Sequence, residues 1–312
     1  MMDLTAFSNR LRKNQRHWNK WARRRKISCY RLYDRDIPEF PVAIDWYQDQ
    51  VHAQIFARKG IEPLDEAEEQ RIGEIICDVL QIPADALAFK TRQRQRGLTQ
   101  YEKSREAGRP LIVEEGDLRF EVDLGSYLDT GLFLDHRNTR AMVRERAAGK
   151  RMLNLFAYTG SFTVYAAAGG AHASVSVDLS NTYQDWTRRN LQLNGFTNPE
   201  HELVRDDVFN YLERAVRVRR QFGLIVLDPP SFSNSKKMLE ILDVQRDHPR
   251  LIKACLKLLT PTGELLFSTN RRRFKLDPVI EAMPHCEEIT HHTLPEDFQR
   301  HPAHRCWIFR NS

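Results

Sequence analysis

Three acidic residues, Asp178, Asp207 and Asp228, each close a short apolar run: "ASVSVD", "HELVRDD" and "FGLIVLD". In an open parallel sheet ligands bind beyond the carboxyl ends of the strands, at a topological switch point, so acids at three successive strand ends point into one crevice. A fourth run, "RMLNLFAY" (151–158), enters a turn, "NLFAYTGSFTV" (154–164), whose single glycine is Gly160. No GxGxxG is present to bring the backbone close to a pyrophosphate, and no GxxxxGK[ST], so NAD, FAD and a P-loop are poorly supported. One glycine among small neighbours suits a cofactor with an amino-acid moiety and a nucleoside but no phosphate. S-adenosylmethionine is such a molecule. Asp178, 24 residues beyond Asn154, stands where a ribose diol finds its acceptor, and Asp207 is placed to accept from an adenine amino group. The alternative for any one of them alone is an N-cap of the next helix. Asp228 opens "DPPSFSNSKKM" (228–238), an acid and two prolines after a buried strand, which has the character of an active-site loop.

These residues need a scaffold. From about residue 138, strands (151–158, 173–180, 201–207, 222–228, 263–270) alternate with helices (160–170, 182–195, about 207–219, about 239–258), the last Gly of "NLQLNG" closing the second. That alternation implies βαβ units and a mostly parallel sheet. Residues 28–127 read differently: short strands "CYRLYDRD", "FPVAIDWY", "QVHAQIFA", "PLIVEEG" and "DLRFEVDLG" surround one helix, 65–82, giving a small α+β domain. Residues 1–27 form a basic helical segment, and 128–312 the α/β domain.

At 312 residues, 41% hydrophobic and 29% charged, the chain is a globular protein with room for two domains. No apolar stretch reaches the roughly 18–20 residues of a membrane span, and the N-terminus lacks a secretory h-region. Five scattered cysteines, odd in number and without CxxC spacing, imply neither a disulfide framework nor a zinc site, no metal, and a cytoplasmic location. Net charge is +6, and residues 1–26 carry nine Lys or Arg against one acid, Asp3, with Trp18 and Trp21 interleaved. Basic side chains can neutralise phosphates while indoles stack on bases. The alternative is an amphipathic helix with Phe7, Leu11, Trp18 and Trp21 packed inward, and the two are compatible.

"LDTGLFLDHR" (128–137), "NLFAYTGSFTV", "VDLSNTYQDW" (177–186), "LNG" (193–195), "DPPSFSNSKKM" and "DVQRDH" (243–248) together resemble one family. It is the RlmK half, the C-terminal methyltransferase, of the bifunctional 23S rRNA guanine methyltransferase family RlmKL. The likeness runs from "NRLRKN" (9–14) to "CWIF" (306–309). It implies a Rossmann-like class I methyltransferase with a mostly parallel seven-stranded sheet, S-adenosylmethionine as cofactor, and 7-methylguanine made in 23S rRNA or its large-subunit precursor. Carried across, Asn154, Phe156, Tyr158 and Gly160 match the cofactor turn, Asp178 and Ser180 the ribose side, Asp207 and Val208 the adenine edge. Asp135 and Arg137 match a segment closing over the cofactor, where Arg137 is expected to pair with the methionine carboxylate. The guanine-N2 methyltransferase half that precedes this unit in the bifunctional protein is expected to be a separate partner here, or to be replaced by a helicase.

The catalytic group is Asp228, Pro229, Pro230, Ser231 and Phe232, with Asp228 also beside the cofactor. Amine methylases usually carry [ND]PP[YFW]; here Ser231 takes the aromatic's place and Phe232 follows. Guanine N7 has a lone pair and no proton, so alignment and water exclusion suffice. Its Hoogsteen edge offers only acceptors, and Ser231, Ser233, Asn234, Ser235, Lys236 and Lys237 offer donors, with Phe232 to stack on the ring. Cytosine C5 is a rival target, but it needs a thiolate, and Thr269 and Asn270 stand where related enzymes have Cys. A guanine amine is a second rival target. A non-catalytic RNA-binding assembly factor that retains the cofactor pocket is the rival reading of the whole chain. Arg10, Arg12, Lys13, Arg16, Trp18, Lys20, Arg23 and Arg24, with Arg92, Arg94, Lys236, Lys237, Arg271 and Arg272, are the expected RNA contacts.

Overall fold

The structure, a computed structural model, describes residues 3–56, 64–92, 108, 110–127, 129–233 and 241–311. Two units emerge: one comprises Met1–Asp117, Glu121–Thr130 and Glu296–His301, the other Leu118–Phe120, Gly131–Pro295 and Pro302–Ser312.

In the first unit, α1 (Leu4–Arg25) starts at Asp3, whose side chain accepts from Thr5 N at 2.9 Å. Phe7, Leu11, Trp21 and Ala22 fall on one stripe and are buried. Strands β1 (Cys29–Asp34), β2 (Val42–Tyr47) and β3 (Gln50–Phe56) run antiparallel. Helix α2 (Glu66–Leu80) then crosses over, so β4 (Leu87–Arg92) joins β3 in parallel. A capping box between Asp65 and Glu68 starts α2, and Ile72, Ile76, Val79 and Leu80 bury its inner face. Helix α1 shares this core with Leu32, Ile44, Val51 and Ile55. Pro110–Glu115 (β5) and Leu118–Asp123 (β6) form a ribbon of their own. The sequence carries no signal for the last piece of this unit. Glu296–His301 returns to it, where Asp297 accepts from Arg31 N at 2.9 Å and Phe298 lies under the Arg31 guanidinium at 4.4 Å.

The second unit contains α3 (Arg137–Arg146), β7 (Arg151–Leu155), α4 (Ser161–Ala168), β8 (Ala173–Asp178), α5 (Asn181–Leu193), β9 (His201–Arg205), α6 (Val208–Arg217) and β10 (Phe222–Leu227). A short ribbon, β11 (Phe232–Ser233) with β12 (Leu242–Asp243), leads to α7 (Val244–Leu256) and β13 (Leu259–Thr269). Then come α8 (Pro278–Glu281), β14 (Cys286–Glu288), α9 (Thr290–Thr293) and β15 (Arg305–Arg310). The seven-stranded sheet has the order β14-β15-β13-β10-β7-β8-β9, with β15 antiparallel to both neighbours and β13 through β9 parallel. The order reverses between β10 and β7, which makes their carboxyl ends the switch point.

Both faces of this sheet are buried: Leu153, Val175 and Ile225 in one cluster, Met152, Leu224 and Val226 in the other. That is why the strands read as continuous apolar runs instead of alternating. Helix α7 begins at Val244, not near 239, because Asp243 caps it by accepting from Gln245 N at 2.9 Å, and Leu242–Asp243 are drawn into the ribbon with Phe232–Ser233.

Candidate active site

The turn after β7 is strained and tightly held. Phe156 (φ 57°), Tyr158 (φ 51°) and Gly160 (φ 75°) are all left-handed, and for the two non-glycine residues that costs on the order of 1–3 kcal/mol each. Surrounding bonds enforce it: Ala157 N to Val177 O at 3.0 Å, Tyr158 N to Asp178 Oδ2 at 2.9 Å, and Thr187 Oγ1 to Tyr158 O at 3.0 Å. Asn190 Nδ2 donates to Thr159 O at 2.9 Å, and Thr159 Oγ1 to Gly131 O at 2.6 Å. A Cβ on Gly160 would lie 2.3 Å from Thr187 Cγ2, so both the steric contact and the φ demand glycine.

Asp178 joins the turn to the end of β8. Its Oδ2 accepts from Tyr158 N and its Oδ1 from Ser180 N, each at 2.9 Å. Burial pushes its carboxyl up to about 6 against those two N–H groups, which pull the other way. Tyr158 meets Tyr183 edge-on at 4.6 Å and Phe133 at 5.3 Å; Phe133 is 39% exposed.

At the end of β10, Asp228 Oδ1 accepts from Ser268 Oγ at 2.6 Å. His136 Nε2 is 3.6 Å from Asp228 Oδ2. Ser231 Oγ donates to Asn270 Oδ1 at 2.6 Å, and Phe232, half exposed, pairs in β11 with Asp243. Asp135, His136 and His304 offer ligand atoms within 4.8 Å of one another. However, the two imidazoles stack nearly parallel at 4.1 Å, 11° apart, so their in-plane lone pairs do not converge on one ion. His304 is hydrogen-bonded through Nδ1 to Asp135 at 2.9 Å and through Nε2 to Thr293 at 3.0 Å. Asp135, His304 and Thr293 form a hydrogen-bonded chain, and His136 stacks on its imidazole.

The S-adenosylmethionine-dependent methyltransferase family matches residues 42–296. The chain belongs to that family. Ribosomal RNA large subunit methyltransferase K of Neisseria meningitidis is 51% identical over 100% of this chain and 88% of its own length, and the chain belongs with it. Ribosomal RNA large subunit methyltransferase K/L of Methylococcus capsulatus is 49% identical over 96% of this chain, which spans 42% of that protein. A crystal structure of a methyltransferase complexed with SAH superposes with TM-score 0.77 at 25% identity, covering 99% of this chain and 82% of that one. The family resemblance, the Rossmann-like fold and the S-adenosylmethionine cofactor expected from the motifs are all borne out. No described helix is long and apolar enough to cross a membrane.

This methyltransferase has a turn that fits its cofactor, since the glycine without space for a Cβ and the half-buried Asp178 carboxylate, with lone pairs beyond its two N–H bonds, lie together. Other expected cofactor residues are differently engaged. Asn154 is 1% exposed and its amide donates to Thr163 Oγ1 at 2.9 Å, turned into the packing of α4 on the sheet. Asp207 caps α6, its Oδ1 accepting from Phe209 N at 2.9 Å and Asn210 N at 3.2 Å, and Val208 is buried behind it. Ser180 caps α5 through Tyr183 N at 3.4 Å. Phe156 packs partly on the main core, and Arg137 is buried at the start of α3.

The RNA candidates also sort. Arg10 pairs with Asp36 at 2.5 Å and Arg271 with Asp243 at 2.6 Å, so these two guanidinia already have carboxylates. Trp21 is buried, its indole N–H donating to Glu296, and Trp18 is half-buried, packed edge-on to Trp21 at 5.2 Å. Arg12, Lys13, Arg16, Lys20, Arg23, Arg24 and Arg272 are exposed. Arg94, Asn234, Ser235, Lys236 and Lys237 lie outside the described residues, as does the side chain of Arg92. Sequence reasoning missed Ser268 and His304, and it missed Phe133 and His136 although both sit inside "LDTGLFLDHR".

Proposed function

We propose that this methyltransferase acts on 23S rRNA of the large ribosomal subunit and modifies guanine at N7. The observation that carries the atom assignment is the DPP loop itself: Asp228 is engaged by Ser268 and Ser231 by Asn270, and the aromatic comes at 232. The usual arrangement for taking a proton from an exocyclic amine has the aromatic directly after the prolines. S-adenosylmethionine supplies a methyl group on a sulfonium, and N7 receives it without losing a proton. The chain's residues then need only bind, align and exclude water. Phe156 to Gly160 shape the cofactor turn, Asp178 accepts from the ribose hydroxyls, and Phe232 stacks on the base.

Cytosine C5 chemistry requires a thiolate within reach. β13 ends at Thr269 with Asn270 next, while Cys255 and Cys306 are buried and their thiols pushed up by burial. The A-form major groove, where N7 lies, is too narrow for side chains, so the target guanine is unpaired or extruded. Residues 1–127 are assigned to RNA binding: Arg12, Arg16, Lys20 and Arg24 recur every four residues along α1, a cationic ridge about 18 Å long at about 1.5 Å per residue.

The deciding experiment is incubation with labelled S-adenosylmethionine and under-modified large-subunit rRNA, followed by borohydride–aniline cleavage. A single aniline-sensitive site is expected. Incorporated label without one overturns the N7 assignment, and no label on any precursor rRNA favours a binding protein.

A further inference from the structure

An aspartate in a turn usually steadies its carboxylate on the backbone N–H two residues on. Pro229 and Pro230 follow Asp228 and have no N–H to give, so its restraint has to come from other elements. β10 and β13 run parallel with Leu227 opposite Phe267, which brings the next residues, Asp228 and Ser268, side by side. Ser268, 2% exposed, donates to Asp228 Oδ1 at 2.6 Å, the length of a charge-assisted O–H···O⁻ bond.

On the other side stands His136. Its Nδ1 is 3.2 Å from Thr139 Oγ1, and its ring stacks on His304 at 4.1 Å and meets Phe162 edge-on at 5.5 Å. Burial, and then the neighbouring His304, push its pKa down to about 4, so the ring is neutral at neutral pH. Nε2, the other ring nitrogen, stands 3.6 Å from Asp228 Oδ2 and 3.8 Å from Asp135 Oδ2, a packing contact longer than a hydrogen bond. The tautomer with its proton on Nε2 and Nδ1 accepting from the Thr139 hydroxyl is the one that turns an N–H toward the two carboxylates. The Asp135–His304–Thr293 chain holds the stacked partner in turn.

We propose that Ser268 and His136 are positioning residues for methyl transfer, fixing the Asp228 carboxylate as a counter-charge to the base being methylated. What the carboxylate does rests on the guanine-N7 reading. There the N7 lone pair forms the new N–C bond, the C–S pair leaves with sulfur, and no proton moves. The positive charge therefore passes from the sulfonium to the guanine imidazole ring. A carboxylate held in place before the reaction stabilises that charge without having to reorganise.

The test measures single-turnover methyl transfer and S-adenosylmethionine affinity for Ser268→Ala, Ser268→Thr, His136→Phe, Asp228→Asn and the Ser268→Ala/Asp228→Asn double variant, each checked for folding by thermal melt. Removing one hydrogen bond to a charged group slows Ser268→Ala by about 10- to 100-fold, with cofactor affinity within about twofold. Ser268→Thr, which keeps the hydroxyl, recovers most of the rate, and His136→Phe, which keeps the ring stack, slows it by a smaller factor. The double variant is no slower than Asp228→Asn alone, because Ser268 acts through that carboxylate. A wild-type rate in Ser268→Ala, or losses that multiply in the double variant, overturns the proposal; so does a loss that lies wholly in cofactor affinity. Aniline mapping of the product from every active variant tests the N7 reading separately. Methyl groups on another atom, with the non-additivity intact, overturn the base assignment and leave the positioning roles standing.

Discussion

The turn after β7 and the exposed face of α1, to which cofactor and RNA binding are assigned in the proposed function, are built on opposite plans. At the turn each residue has one geometry: Gly160 has no space for a Cβ, Tyr158 N is bonded to Asp178, and Thr187 clasps the backbone of Tyr158. On α1 the cations Arg12, Lys13, Arg16, Lys20, Arg23 and Arg24 stand exposed in a row, and one could slide into the role of the next. A buried, low-dielectric site makes each contact worth more and each loss irreplaceable, whereas screened surface charges act as a sum. On the proposed reading the acids serve one small molecule and the cations a polymer. Trp21, though interleaved with the cations in the sequence, is buried and belongs to the other plan.

That last point gives the largest expected effect. Trp21→Ala should destabilise the fold by about 3–5 kcal/mol in denaturant titrations, while the RNA affinity of the folded fraction stays unchanged. Weaker RNA binding at unaltered stability would return the indole to the RNA surface. Next, Gly160→Ala places a Cβ 2.3 Å from Thr187 Cγ2 at φ 75°, and cofactor affinity measured by calorimetry should fall by about 100-fold, as a displaced site does. Affinity within tenfold of wild type would mean that the turn tolerates sliding and the contrast with α1 is false.

Asp178 sharpens the comparison through pH. Its folded pKa, about 6, lies above the usual 3.8, so the unliganded fold binds this proton more tightly than the unfolded chain does. The contribution of this group to stability is then complete below about pH 4 and is lost as pH rises through about 6, by up to about 3 kcal/mol. Hydroxyls donating to the carboxylate favour its charged form. Cofactor binding near pH 6 should therefore release a proton, seen as a buffer-dependent calorimetric enthalpy. Affinity should weaken about tenfold per unit below that pH, and Asp178→Asn should abolish both effects. An affinity flat from pH 5 to 8 in the wild type would remove the carboxylate from the ribose. The smallest effect belongs to the cations: Lys20→Ala should weaken RNA binding about two- to threefold and lower the slope of log K against log salt by about 1. An unchanged slope would take α1 out of the RNA interface.

Much of this was legible in the chain, and the places where it was not have a common cause. Strand ends can be read because burial of a parallel sheet imposes apolar runs that stop abruptly, so the sequence alone puts Asp178 and Asp228 at strand ends. Partner choice could not be read. Nothing in the sequence says that the Asn154 amide donates to Thr163, that Asp207 caps α6, or that Arg10 and Arg271 pair with Asp36 and Asp243. The return of Glu296–His301 to the first unit carries no compositional mark at all.

By itself the sequence determined the class of molecule: a βαβ sheet with one glycine in its first turn, acids at the strand ends, a proline-locked loop and a cationic helix. Those follow from local rules, periodicity, the φ that glycine alone takes easily, and the N–H that proline lacks. Only the tertiary structure decided which acid faces which donor, because Ser268, His136 and His304 reach Asp228 and Asp135 across 40 to 169 residues of chain. Side-chain hydrogen bonds form between neighbours in space. Until the sheet order β13-β10-β7 is set, nothing in the order of the amino acids makes them neighbours.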